Sequence, residues 1–224
     1  MQTEFQDALQ TSVIREILRP VSPIASVYWV PPAATADEAT ALTLQRRRVA
    51  GQLAEQAANN ETIDAVVGYL ARLSDDTASQ AIFARFGHVL LAYQMPETAV
   101  SLVAYGAPPK LGPLLMSRRL RSAYASMEGL HISGAEATIE ALVAGAVQRL
   151  VIVDDPSDDR LGWFGPDLLC ATDRVTAFAM DRFARCGHLA DIVIRAAVLT
   201  GAEVEVVDAE EGADLPGGMA AWVI

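Results

Sequence analysis

Residues 149–153, Arg-Leu-Val-Ile-Val, constrain the fold more than any other part of the chain. An apolar run without polar alternation reads as a strand buried on both faces, and such strands need other elements to cover them. Helical patterns stand on either side. Glu136 to Val147 places Ile139, Leu142, Val143 and Ala146 on one face, and Leu189 to Leu199 is a nearly all-apolar helix stopped at Thr200-Gly201. Between them, Val175, Phe178, Ala179, Phe183 and Cys186 recur at helical spacing, which predicts a further helix with Cys186 in its apolar stripe and a break at Gly187. Ala202 to Val207 and Ala220 to Ile224 read as two more strands, the last a candidate exposed edge that pairs between subunits. The second half is therefore expected to be an α/β domain.

The first half has a different grammar. Phe5, Leu9, Val13 and Ile17 recur every four positions, and Arg19-Pro20 ends that helix because proline cannot continue the hydrogen-bond ladder. Ile24 to Val30, bounded by Pro23 and Pro31-Pro32, reads as a buried strand. Helices are predicted over 37–58, with Ala39, Leu42, Val49 and Leu53 on one face, and over 61–73, with Ile63, Val66, Val67 and Leu70, after an Asn59-Asn60 break. Residues 81–85 and 88–93 flank the turn Phe86-Gly87 as a β-hairpin, and 98–105 offer another strand. This half reads as α+β, so the whole chain is placed in the α/β class, with domains at 1–116 and 134–224 and a basic linker at 117–133.

Charge separates the halves. Residues 1–125 hold 11 bases and 11 acids, and residues 126–224 hold 6 bases and 17 acids, so the net charge of −11 lies wholly in the second part. An acidic domain repels phosphate, so any nucleic-acid contact is assigned to the first half. Glu4 and Asp7 stand where a signal peptide would be basic and then apolar, and no apolar run reaches the ~18 residues of a membrane span. Two cysteines, Cys170 and Cys186, suit reduced thiols, although one bridge stays open. A cytoplasmic chain with neither a membrane nor a DNA partner is expected.

Three strings in the second half resemble the C-terminal domain of the archaeo-eukaryotic peptide-chain release-factor family, most closely its bacterial branch: Gly134 through Val153, Leu189 through Val207, and Leu215-Pro-Gly-Gly-Met-Ala-Ala. Ala25-Ser-Val-Tyr-Trp-Val, Phe83-Ala-Arg-Phe-Gly-His-Val-Leu and Pro108-Pro-Lys-Leu-Gly-Pro-Leu-Leu are similar to the N-terminal domain of the same relatives. The resemblance implies a C-terminal α/β sandwich akin to ribosomal kink-turn-binding proteins, with a translational GTPase as its partner. It implies a first domain that approaches the ribosomal decoding region. The family's central domain, which carries a Gly-Gly-Gln loop, has no counterpart in the roughly twenty residues between Leu115 and Gly134. The sole Gly-Gly pair, Gly217-Gly218, is followed by Met219, so peptidyl-tRNA hydrolysis has no candidate residue.

Candidate sites follow. Arg46, Arg47 and Arg48 on a helix, and Arg118, Arg119 and Arg121 in the linker, are the basic clusters that could pair with RNA phosphates; the plainer reading of such charge runs is a solvated face and a solubilising linker. Consecutive helix positions diverge, so at most two of the first three meet one surface. Asp154, Asp155, Asp158 and Asp159 follow the 149–153 strand at the end where α/β folds bind ligands. They lack the glycine and terminal glutamate of a calcium loop, so a solvated loop or a docking surface is expected there and no metal. Trp163 and Phe164 are either a binding hot spot or a lid over the core. Cys186 and His188 are not expected to touch, and His88 and His131 stand alone. With no GxSxG, HExxH or Walker pattern, the reading is a non-enzymatic, cofactor-free ribosome-associated protein concerned with ribosome hibernation or rescue. Its rival is a protein-interaction or stress-regulatory module that no longer binds the ribosome.

Overall fold

The structure, a computed structural model, describes residues 12–19, 22–32, 38–73, 78–95, 101–106, 108–112, 131–155, 157–209 and 212–224. It is α/β, and it divides into two compact units: Ser22–Ser117, and a second that joins the N-terminal residues to Arg118–Ile224.

In the Ser22–Ser117 unit the elements run β1 (Ile24–Trp29), α2 (Glu38–Glu55), α3 (Asn60–Ala71), β2 (Gln80–Arg85), β3 (His88–Gln94) and β4 (Leu102–Gly106), the label α1 being kept for the helix at 12–18. The sheet order is β3-β2-β1-β4, with every pairing antiparallel. β1 is buried along its whole length because both of its faces are covered. Ala25, Val27 and Trp29 pack with Leu42, Val49 and Leu53 of α2 and Val66 and Leu70 of α3. On the other face Tyr28 meets Phe83 edge-on at 6.1 Å and donates a hydrogen bond to the Lys110 carbonyl, while Ser26 Oγ accepts from Lys110 N. The segment 108–112 thus closes over the sheet, with Leu111 buried. α3 starts where Asn59 accepts a hydrogen bond from Thr62 N at 2.8 Å, an ordinary N-cap. The hairpin turn puts both Phe86 (φ 48°) and Gly87 (φ 77°) in the left-handed region, as the tight two-residue connection demands.

The second unit holds α1 (residues 12–18), β5 (His131–Ser133), α4 (Ala135–Val143), β6 (Val147–Asp154), β7 (Leu161–Phe164), α5 (Arg174–Met180), β8 (Arg185–His188), α6 (Leu189–Thr200), β9 (Glu203–Asp208) and β10 (Met219–Val223). Its main sheet has the order β5-β10-β6-β9. β6 and β9 are parallel, joined through α6, and β10 is antiparallel to both of its neighbours. α4 and α6 pack against β10 and β6 and against each other. β7 and β8 form a separate two-stranded ribbon that leans on α6: a Cβ at Gly162 would lie 2.8 Å from Leu189 Cδ1 and 3.3 Å from Ile192 Cδ1.

Several expectations change. The expected first domain, 1–116, loses its opening helix to the second unit, because Ile14, Ile17 and Leu18 are buried there and Arg15 Nε donates to Val198 O at 3.1 Å. Amphipathic spacing says that a helix buries one face, but not against what. Phe5 and Leu9 lie outside the described residues. The linker 117–133 is not all linker, since residues 131–133 form β5 at the sheet edge. β10 is not an edge strand: it sits between β5 and β6, so the chain's last strand is paired on both sides. The helix expected from Val175 through Cys186 stops at Met180, and residues 185–188 become β8 with Cys186 exposed. The cause is Asp181, whose buried carboxylate accepts from Asp167 N and Phe183 N and turns the chain. Residues 98–100 of the expected strand lie outside the described residues. Among the described residues no helix is long and apolar enough to cross a membrane.

Candidate interaction surface

The three arginines of α2 do not behave alike. Arg46 is half-buried and donates to Leu73 O at 3.4 Å, tying α2 to the end of α3, whereas Arg47 and Arg48 are exposed. Neither exposed guanidinium has an ion-pair partner among the described residues. Arg118, Arg119 and Arg121 lie outside the described residues.

The acidic loop is organised by its own atoms. Asp154 is the last residue of β6. Asp155 Oδ1 accepts from Ser157 Oγ at 2.6 Å and from Ser157 N at 2.8 Å, and these bonds hold its carboxyl below the ordinary aspartate range. Asp158 grips Arg160 with both oxygens, at 2.8 Å from Nε and 2.6 Å from Nη2, which lowers the Asp158 pKa and raises that of Arg160. Asp159 is exposed. Two of the four carboxylates are thus engaged locally, and no cluster of metal-ligating side chains forms among the described residues.

Trp163 and Phe164 are neighbours on β7 and so point to opposite faces. Phe164 is fully buried, with the Arg195 guanidinium 4.9 Å from its ring centre, so it belongs to the core and not to a partner surface. Arg195 itself is buried and donates to Leu18 O and Leu169 O; burial lowers its pKa. Trp163 is half-buried, packs on the small cluster of Leu168, Ala171, Ala177 and Ala184, and meets Phe178 of α5 at 5.6 Å.

That contact leads to exposed apolar side chains, of which the helical spacing predicts Val175, Phe178 and Phe183 in a buried stripe. Val175, Phe178, Met180 and Phe183 are 81%, 42%, 56% and 60% exposed, and Leu161 on β7 is 56% exposed. The Arg174 guanidinium sits 5.6 Å over Phe178 and that of Arg182 4.7 Å over Phe183. The signal lay in the sequence as Asp181-Arg182, two charges inside a stripe otherwise read as core.

Cys186 lies opposite Trp163 and His188 opposite Leu161 in the β7–β8 ribbon, so these four share its outer face. Cys186 and His188 are both exposed, and no hydrogen bond links them. Cys170 is buried, and burial pushes its thiol up to about 12, which leaves it inert. An open cleft of about 810 Å³ lies at the start of α4, lined by Ser133, Glu136, Glu140, Arg160 and Thr172 among others. Arg160 is already bound to Asp158, so Glu136 and Glu140 make the cleft acidic, and among the described residues no histidine or cysteine lines it. Gly217 (φ 61°) and Gly218 (φ 67°) form the turn before β10, where a Cβ on Gly217 would lie 3.2 Å from Ala135 N. That pair is needed for a close backbone approach.

No protein-family model matches the sequence, and no curated protein matches it.

Proposed function

We propose that this chain is a non-enzymatic, ribosome-associated protein of the translation-factor kind, acting by occupancy in hibernation or rescue and without peptidyl-tRNA hydrolysis. The observation that carries the reading is the exposed pair Arg47 and Arg48 on α2, free of carboxylate partners among the described residues and lying in the unit whose strings resemble a release-factor N-terminal domain. Guanidinium groups in that state suit the phosphate oxygens of ribosomal RNA. The acidic second unit, repelled by RNA, is left to recruit a protein, for which a translational GTPase is the partner the resemblance implies.

The test is co-sedimentation with ribosomes across a salt series, comparing wild type with the double variant Arg47→Glu, Arg48→Glu; Arg46 is spared because it holds Leu73 O. Saturable binding that weakens with salt is expected, with a salt slope reduced by about 1 per lost phosphate contact. Folded wild-type protein that stays in the supernatant at low salt overturns the reading. A second reading, a protein-interaction module, is favoured by the aromatic and arginine side chains exposed around α5.

A further inference from the structure

We propose that α5 and the turn after it dock an acidic protein segment carrying apolar anchor side chains, the anchors packing on Val175, Phe178 and Phe183 and the carboxylates pairing with Arg174 and Arg182. The inference rests on the interaction-module reading and is independent of ribosome binding.

Charge points to the occupant. Residues 126–224 hold 6 bases among 17 acids. Three of the six are engaged: Arg149 with Glu205, Arg160 with Asp158, and Arg195 with two buried carbonyls. The remaining three, Arg174, Arg182 and Arg185, are exposed and without an ion pair among the described residues. Arg185 stands opposite Phe164 in the ribbon, on the face away from Trp163. Arg174 and Arg182 remain beside the apolar side chains, each laid over the ring of a phenylalanine.

The carboxylates adjacent in sequence form no ion pair with them among the described residues. Asp173 is spent on Val175 N and Thr176 N as the cap of α5, and Asp181 on Asp167 N and Phe183 N. A guanidinium held near a ring face can still offer N–H groups to a carboxylate, and the contact restricts its direction before any partner arrives. An aromatic and arginine core is the composition from which binding hot spots are built.

The apolar side chains favour a protein over RNA. Val175, the most exposed of them, offers no plane for a base, and the two phenylalanines carry guanidinium groups over their rings. A phosphodiester chain would also bring a charge at every residue into the field of an acidic domain. An amphipathic peptide brings only a few, spaced by apolar groups that gain from burial.

Fluorescence polarisation tests this on the full chain, using a fluorescein-labelled peptide of about 15 residues with Glu and Asp on one helical face and Leu and Phe on the other. Wild type is expected to bind it. The variant Arg174→Glu, Arg182→Glu should lose about tenfold or more in affinity with an unchanged circular dichroism spectrum, and Val175→Asp should lose severalfold. The same peptide with Lys for each acid should not bind. Arg47→Glu, Arg48→Glu should bind as wild type does, which separates failure of this proposal from failure of ribosome association. No binding by folded wild type, equal binding by the α5 variants, or preferential binding of a labelled oligouridylate at this face overturns it.

Discussion

Glu205→Ala is expected to be the most damaging single carboxylate change in the second unit. Glu205 on β9 and Arg149 on β6 form an ion pair with side chains only 5% and 12% exposed, on adjacent parallel strands. Removing Glu205 takes this carboxylate from a guanidinium in a site from which water is largely excluded, and since Arg149 keeps a further contact the loss has about 3–5 kcal/mol as its upper range, whereas an exposed pair would cost under about 1. With a urea m-value near 2 kcal/mol per molar, the unfolding midpoint should fall by up to about 2 M. The two units need separate reporters. Trp29 lies in one, and Trp163 and Trp222 lie in the other, so fluorescence in a Trp29→Phe background follows the second unit alone. Trp222 also belongs to the apolar cluster of Val151 and Val207, the sheet face that Arg149 and Glu205 share. Replacing both partners, Arg149→Leu with Glu205→Leu, removes the charge together with its partner and should stay within about 1–2 kcal/mol of wild type. A single variant that loses less than about 1 kcal/mol, or a double variant as unstable as the single, would refute this account of the pair.

Three other outcomes follow from local geometry. A thiol reagent at pH 8 should titrate one cysteine, Cys186, in the folded protein and reach Cys170 only after unfolding, because Cys170 is buried with its pKa raised to about 12. Asp158 titrates below the ordinary aspartate range through its bond to Arg160, so its contribution is present at neutral pH and is lost only as pH falls through the lowered value. Carboxyl NMR should show this midpoint rising in Arg160→Gln while that of Asp155, held chiefly by Ser157, moves little. Phe86→Asn should stabilise the hairpin by roughly 0.5 kcal/mol in thermal unfolding. Relief of a bulky residue at φ 48° outweighs the lost contact with Arg85 at 5.8 Å.

Much of the fold was readable because its signals act within a turn or two. β1 between its prolines, the hairpin across Phe86-Gly87, β6 as an apolar run and α6 with its stop at Gly201 all stand where the residues placed them. Of the candidate site, Arg47 and Arg48 are exposed as a binding role requires, and Trp163 is half-open, but Phe164 is core. Alternation along β7 explains that split, and it could not be applied before β7 was known to be a strand.

The sequence by itself determined the α/β class, the order of most helices and strands, and the confinement of the net negative charge to the second half, since hydrophobic period, chain breakers and charge are local or additive properties. Only the tertiary structure decided which surfaces meet. It sent α1 to the second unit through Arg15 and Leu18 and set β10 between β5 and β6. It paired Arg149 with a glutamate 56 positions away and, through Asp181, turned an apparent core stripe outward. Such choices rest on long-range contacts, whose energies appear only after distant segments have been brought together.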